Sequence, residues 1–493
     1  METLERRELN CDGKPVVADF GKDGYARLDV ILEGTDGQVV QFHFGEVLRD
    51  GAVDRKPFGS LYYSCVPLTL KDGCRTYRVE LPQHVSPWPI PAQCLPPPGG
   101  EIAPFRYVEL EGYVGKAILT RRQITYDFDD QAASFVSDNE VLNQVWELSK
   151  YTIKATSAFG KFVDGDRERL PYEADALINQ LGWFCCTRNP GIARDTIDHL
   201  FLHPTWPTEW FLQMPLLVRD YLLYTGDKEA VAGWLPQLPA KLLPDYTDGD
   251  GLLHDPSVPR GLRDIVDWPA GERDGYEFGA INFVPNCFLH MALRVLFELT
   301  GEAGYLERAL NLRTTLQRVF RVDGMYVDSV NSRHTSLHTA MMAVVSGVAE
   351  QSELPALGTI LQSKGMACSV YGSQFLIPAC YQAGLDQYAF DLLTSRGIRS
   401  WYNMIDKGAT ITMEAWDNSF KVNQDWNHAW GAAPANLIPR YVCGIRPTGP
   451  GYATFTVEPH CTGLHFLDCR IPIPDGAIHV LFENGRYSVQ KSG

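Results

Sequence analysis

Apolar residues recur with two different periods along this chain, and the change of period divides it into three parts. In the first part they alternate. Positions 25–32 and 39–44 read as half-buried strands on either side of Asp36-Gly37, a pair that favours a hairpin turn. Positions 76–81 and 105–110 alternate in the same way. Between these two lies Leu95-Pro96-Pro97-Pro98-Gly99-Gly100, a stiff loop whose prolines exclude it from a strand interior. Residues 1–132 are therefore expected to form an antiparallel β-sandwich.

The period lengthens at Ser137-Asp138-Asn139-Glu140, which has the spelling of a capping box. Behind it Val141, Leu142, Val145, Trp146, Leu148, Thr152 and Ile153 recur at helical spacing. The same test finds roughly twelve helical segments up to about residue 443, among them 191–202, 208–225, 228–243, 277–300, 302–320, 336–349, 370–383 and 427–441. Helices in such succession, with no strands between them and no fixed repeat, predict a closed ring of helical hairpins over 133–445, not a solenoid. The long loops 160–173, 244–276 and 396–426 then gather round one mouth, and together they concentrate acids and tryptophan. Alternation returns at 454–457 and at 478–482, which turns at Asn484-Gly485 into 487–489. Residues 446–493 are thus expected to be a small β-domain packed on the helices.

Composition narrows the partners. The 493 residues carry a formal net charge of -16, which argues against a nucleic-acid backbone or an anionic membrane, both bound through clustered Lys and Arg. A small neutral molecule suits this balance better. No apolar run follows Met1 and no segment is apolar for long enough to span a bilayer, so neither a secretory signal nor a membrane span is predicted, and a cytoplasmic location is expected. The 12 cysteines are scattered, with Cys185 and Cys186 adjacent and no CxxC spacing. They read as reduced core thiols, not as metal ligands or redox pairs.

The densest chemistry lies in Asp164-Gly165-Asp166-Arg167-Glu168-Arg169-Leu170-Pro171-Tyr172-Glu173-Ala174-Asp175, which runs straight into the apolar Ala176, Leu177, Ile178 and Leu181. One or two acids there are explained by a helix N-terminus, where unpaired N–H groups and the macrodipole attract negative charge. Several acids interleaved with two arginines are not, and close charges push neighbouring carboxyl pKa values apart, as acid chemistry requires. A second carboxylate, Glu414, stands among small and apolar neighbours, with Trp416, Trp426, His428 and Trp430 close behind. Asp267-Trp268-Pro269-Ala270-Gly271-Glu272-Arg273-Asp274 and Trp206-Pro207-Thr208-Glu209-Trp210 repeat the combination of acid and indole. Indole faces wall the apolar side of a sugar while carboxylates and Arg fix its hydroxyls, so the ligand expected at this mouth is a carbohydrate. Calcium is disfavoured, because Arg169 stands where an EF-hand loop needs Gly, and there is no GxGxxG, P-loop or HExxH.

At 164–175 and again at 409–450 the chain resembles the bacterial α-L-rhamnosidases of glycoside hydrolase family 78. The second region carries Ala409-Thr410-Ile411-Thr412-Met413-Glu414-Ala415-Trp416-Asp417, then Asn427-His428-Ala429-Trp430-Gly431-Ala432 and Gly444-Ile445-Arg446-Pro447. The resemblance implies a multidomain α and β architecture: a central (α/α)6 six-hairpin barrel between an N-terminal β-sandwich and a small C-terminal β-domain. It implies Glu168 as general acid and Glu414 as general base, with Asp164, Arg167 and Asp175 holding the sugar and Asp166 an alternative to Asp164. Trp206, Trp210, Trp268, Trp416 and His428 are taken as the sugar-contacting wall. The activity implied is exo-acting, inverting hydrolysis of small α-L-rhamnosides without metal or cofactor, and a homodimer is compatible with the sequence. The alternatives are an (α/α)6 glycosidase acting on another deoxy sugar or a uronic-acid-containing oligosaccharide, and a carbohydrate-binding protein without catalysis.

Overall fold

The computed structural model describes residues 1–95, 99–255 and 261–493; the prolines of the 95–100 loop fall outside them. Two antiparallel sheets form the N-terminal part. One runs in the order Glu2–Asp12, Val114–Ile124, Tyr25–Gly34 and Gly73–Val79, and the other Val16–Asp19, Tyr107–Glu111, Val39–Gly45 and Tyr63–Thr69. Leu28, Val30 and Leu32 from the first and Val40, Phe42 and Phe44 from the second share one core.

The hairpin predicted across Asp36-Gly37 is therefore wrong, because its two strands lie in different sheets. The turn itself exists: Gly37 has φ 82° and the Gln38 N–H donates to the Thr35 carbonyl at 3.1 Å. It carries the chain from one sheet to the other. Both strands need one face buried, and facing each other across a core satisfies that need without pairing edge to edge.

Beyond residue 139 the helices close on themselves. Glu173–Cys186 packs on Met214–Thr225, which packs on Phe283–Thr300, and contact continues through Leu337–Val345, Ser373–Gln382 and Pro434–Leu437 back to Glu173–Cys186. Outside this ring lie Glu140–Ala155, Gly191–Leu202, Lys228–Trp234, Ala303–Phe320, Leu354–Lys364 and Asp386–Leu393. Sequence composition sorts inner from outer: every residue of Glu173–Cys186 is buried, whereas Ala303–Phe320 buries one stripe, Ala309, Leu312, Thr315, Leu316 and Phe320. The first helix is capped by Asn139, whose side chain accepts the Leu142 N–H at 3.0 Å, and not by Ser137 as the capping-box spelling predicts.

A last sheet runs Ser134–Ser137, Phe466–Ile473, Gly476–Glu483 and Arg486–Ser492, so its first strand comes from just ahead of the helices, in a stretch read as part of the ring. The Asn484-Gly485 turn forms as expected, with φ 47° and 83° and Glu483 opposite Arg486. Leu467, Cys469, Ile471, Ile478 and Val480 belong to the same core as the helices, while the N-terminal sheets keep their own. Among the described residues no helix is long and apolar enough to cross a membrane.

Candidate active site

The acid-rich segment folds into a tight turn ahead of the helix Glu173–Cys186. Asp164 N–H donates to the Leu170 carbonyl (3.0 Å), Arg169 N–H to that of Gly165 (2.9 Å), and Leu170 N–H to Asp164 Oδ1 (2.9 Å). Only glycine fits at 165, where a Cβ would come within 2.1 Å of Asp425 Oδ2. Arg169 takes the left-handed conformation, φ 53°. The turn sends Asp164, Arg167 and Glu168 into a cavity of about 420 Å³ and Asp166 and Arg169 away from it.

Arg167 ties the two candidate catalytic carboxylates together. Its Nη2 donates to Glu168 Oε1 and to Glu414 Oε1, each at 2.9 Å, and its Nη1 to Glu414 Oε2 at 2.7 Å. Bidentate Arg–carboxylate pairs are strong and geometrically defined, so Arg167 sets the spacing of the pair. Glu168 Oε2 accepts the Tyr172 hydroxyl at 2.7 Å, and Glu414 has Lys421 Nζ 3.0 Å from Oε1. The Glu414 loop is doubled back on itself, with Glu414 N–H on the Asp425 carbonyl (3.1 Å) and the Trp430 indole N–H on the Glu414 carbonyl (2.9 Å).

Beneath the pair, His428 lies between two carboxylates, with Nδ1 3.0 Å from Asp425 Oδ1 and Nε2 3.2 Å from Asp175 Oδ1. Burial works against charge on this ring, but the two carboxylates hold its pKa well above the usual value. Asp425, though buried, is held at about 2 by His428, Arg167 and Lys421. Asp164 goes the other way: burial and the charge of Glu168 push its carboxyl well up. Burial and neighbouring charge thus move the Asp164 and Asp425 carboxyls in opposite directions. Glu414, Asp425 and His428 bring ligand-type atoms within 4.8 Å of one another, but the positive charge there is supplied by Arg167, Lys421 and the imidazolium.

Asp164, Arg167, Glu168, Asp175, Glu414, His428, Trp206, Trp210 and Trp268 all line the cavity. Two predicted residues do not. Asp166 pairs with Arg169 at 2.7 Å and accepts no cavity contact; burial raises its carboxyl to about 6 against the pull of that arginine. Trp416 is core: it is fully buried, packs edge-on to Trp401 at 5.0 Å, and donates its indole N–H to the Cys368 carbonyl at 2.7 Å. The sequence reading missed Tyr172, Lys421, Asp425, Arg263 and the role of Trp430, whose ring lines the cavity. It also missed Trp88, Pro89 and Ile90, which reach the cavity from the N-terminal part. A tryptophan set between prolines on a surface loop was the available signal.

Helical hairpins closed into a ring, with a carboxylate-lined pocket at one mouth, are the architecture of six-hairpin glycosidases. The chain belongs to the family described as bacterial alpha-L-rhamnosidase 6 hairpin glycosidase domain, whose model matches residues 130–442. An alpha-L-rhamnosidase of Alteromonas sp. (strain LOR) is 22% identical over 514 residues, covering 94% of this chain and 53% of the relative. Among solved structures, a GH78 rhamnosidase of Bacillus sp. GL1 superposes with TM-score 0.76 at 21% identity, covering 95% of this chain and 50% of that one. A Klebsiella oxytoca rhamnosidase with rhamnose bound gives 0.67 at 18% identity and 88% of both chains. The chain spans about half the length of the curated relative, and at these identities the structural likeness speaks for the fold.

Proposed function

We propose that the protein is an exo-acting, inverting α-L-rhamnosidase. The observation that carries this is Arg167 bridging Glu168 and Glu414 at the end of a cavity whose polar groups, Asp164, Asp175 and His428, are almost wholly buried. So enclosed a floor accommodates the end of a glycan and not its middle. Glu168 protonates the glycosidic oxygen through Oε2, the oxygen that Arg167 leaves free and Tyr172 faces. Glu414 takes a proton from water on the opposite face of the ring, the hydroxide adds to the anomeric carbon as the C–O bond to the leaving group breaks, and β-L-rhamnose results. No metal or cofactor is required by this scheme. The free state of all twelve cysteines is in keeping with a reducing, cytoplasmic setting.

One observation favours a second reading, retention through a glycosyl ester on Glu414. The two Oε1 atoms share one nitrogen, each 2.9 Å from it, so they lie no farther apart than twice that length. That falls below the roughly 6.5–9.5 Å of inverting pairs and near the roughly 5–5.5 Å of retaining ones. The inverting reading depends instead on Glu168 Oε2, on the other side of that carboxyl. NMR of the first sugar released from methyl α-L-rhamnoside, read before mutarotation, separates the two. Initial β-L-rhamnose is expected; initial α-L-rhamnose overturns inversion and makes Glu414 the nucleophile.

A further inference from the structure

The chain leaves the N-terminal sheets after Gly73–Val79 and rejoins them at Ala103–Pro104. The strap between them is fastened to the catalytic turn at Arg169. Gln93 N–H donates to the Arg169 carbonyl (2.9 Å), and the Arg169 guanidinium donates to Glu101 Oε1 (2.7 Å) and to the Ile102 carbonyl (2.9 Å). The same strap reaches the cavity that Glu168 lines. There it presents Trp88 and Ile90, 54% and 56% exposed although both line the cavity. Large apolar side chains left together in water at the rim of a pocket mark a contact surface.

We propose that this rim is the aglycone subsite, that Trp88 and Ile90 form one wall of it against Trp206 and Trp268, and that it takes a flat apolar ring in preference to a second sugar. The inference rests on the rhamnosidase reading. Depth decides which part of the substrate goes where: the terminal sugar occupies the charged floor, and the group leaving with the proton from Glu168 emerges at the rim. Chemistry decides the class. A second sugar carries hydroxyls that lose water and need partners, and an unmatched buried hydroxyl costs more than its contacts return. Among the described residues the rim offers one charged side chain, Arg263, whose guanidinium lies over the Trp206 ring at 4.7 Å. On the strap, Pro87, Pro89 and Pro91 have no N–H to give. A planar ring asks only for apolar area, and the prolines hold that area in place at little entropic cost.

Benzyl and methyl α-L-rhamnosides test this, since both release a simple alcohol that needs the proton of Glu168 and they differ by the ring. The unaltered protein is expected to favour benzyl in kcat/KM by roughly tenfold. In Trp88→Ala that preference falls by about fivefold or more, and Trp88→Phe keeps most of it. Thermal unfolding of each variant establishes that it is folded, which the exposure of Trp88 favours. A preference in folded Trp88→Ala within about twofold of the original overturns the inference, as does faster turnover of a rhamnosyl-glucose disaccharide than of the benzyl glycoside. Turnover of no rhamnoside by the unaltered protein overturns the underlying reading and this inference with it; turnover with an unmoved preference overturns this inference alone.

Discussion

The floor and the rim of the pocket are built on opposite principles. On the floor Asp164, Asp175, Glu414 and His428 are 3%, 1%, 2% and 2% exposed; His428 lies against Asp175, Glu414 pairs with Arg167 and Lys421, and Asp164 takes the Leu170 N–H. At the rim Trp88, Trp206 and Trp268 contribute apolar area, and Trp206 and Trp268 stand edge-on to each other. Buried charges must be paired or they neutralise, so the floor works as a unit and loses function as a unit. Apolar walls add up piece by piece. On the proposed reading the floor sets whether a reaction occurs, and the rim sets how well one substrate is preferred to another.

The largest effect is expected where the floor meets the reacting bond. Glu168→Gln keeps the shape and loses the proton, so kcat on an alkyl rhamnoside is expected to fall by roughly 10²–10⁴-fold while rhamnose still binds. Aryl rhamnosides with acidic leaving groups suffer less, because they depart without protonation. Near-normal kcat on the alkyl substrate would remove Glu168 from the role of acid.

Next comes a tryptophan that belongs to neither region. Trp416→Ala empties a fully buried site beside Trp401 and removes one of the two donors to the Cys368 carbonyl, a loss of about 3–5 kcal/mol in stability by urea unfolding. Rhamnose affinity per folded molecule is expected to hold. Weakened affinity at unchanged stability would return Trp416 to the sugar wall.

How far the sequence could be read follows the same division. Periodicity placed the strands and helices because burial imposes it, and it could not tell that 25–34 and 39–45 face each other across a core, since either arrangement buries the same face. Asp164 and Asp166 are equivalent in the sequence. What separates them is a turn with Arg169 in the left-handed region and Asn427 Oδ1 accepting the Asp166 N–H at 2.7 Å, a contact between residues 261 positions apart. Trp416 and Trp430 were likewise alike on paper; one turned into the core and the other onto the cavity. Long-range packing, not the motifs, chose which of these residues reach the cavity.

A third effect lies under the rim, where Glu209 accepts the N–H groups of Ile265 and Val266 and so holds the loop that carries Trp268. Burial and the neighbouring Asp264 raise the Glu209 carboxyl from 4.5 to about 8. Below pH 4.5 both folded and unfolded states bind the proton; above it the unfolded state releases it first, so stability declines as pH rises until the folded group also titrates near 8. Glu209→Gln is expected to flatten that decline by on the order of 1 kcal/mol per pH unit. Urea midpoints for both proteins at pH 5, 6 and 7 measure it, the difference between them isolating the Glu209–Asp264 pair from the other buried acids. Parallel pH profiles would mean that Glu209 is ionised in the folded protein.

The smallest effect separates the rim from the core most finely. Trp268 is half-buried, stands edge-on to Trp206 at 6.2 Å, and has its backbone N–H on Asp267 Oδ1 at 2.8 Å. Asp267 is itself fixed by His338 at 2.7 Å and by Ser369, so the position of the indole is set by its backbone and survives removal of its ring. Trp268→Ala therefore takes away one face of the pocket without disturbing its frame. Substrate binding is expected to weaken by ~1 kcal/mol, seen as roughly a fivefold rise in KM at constant kcat, with the thermal midpoint little changed. Because rim contacts add independently, combining Trp268→Ala with Trp88→Ala is expected to multiply the two effects on a benzyl rhamnoside. A double variant no worse than the poorer single one would mean that the two indoles act only together, as one coupled unit, and a fall in kcat would mean that Trp268 supports the floor.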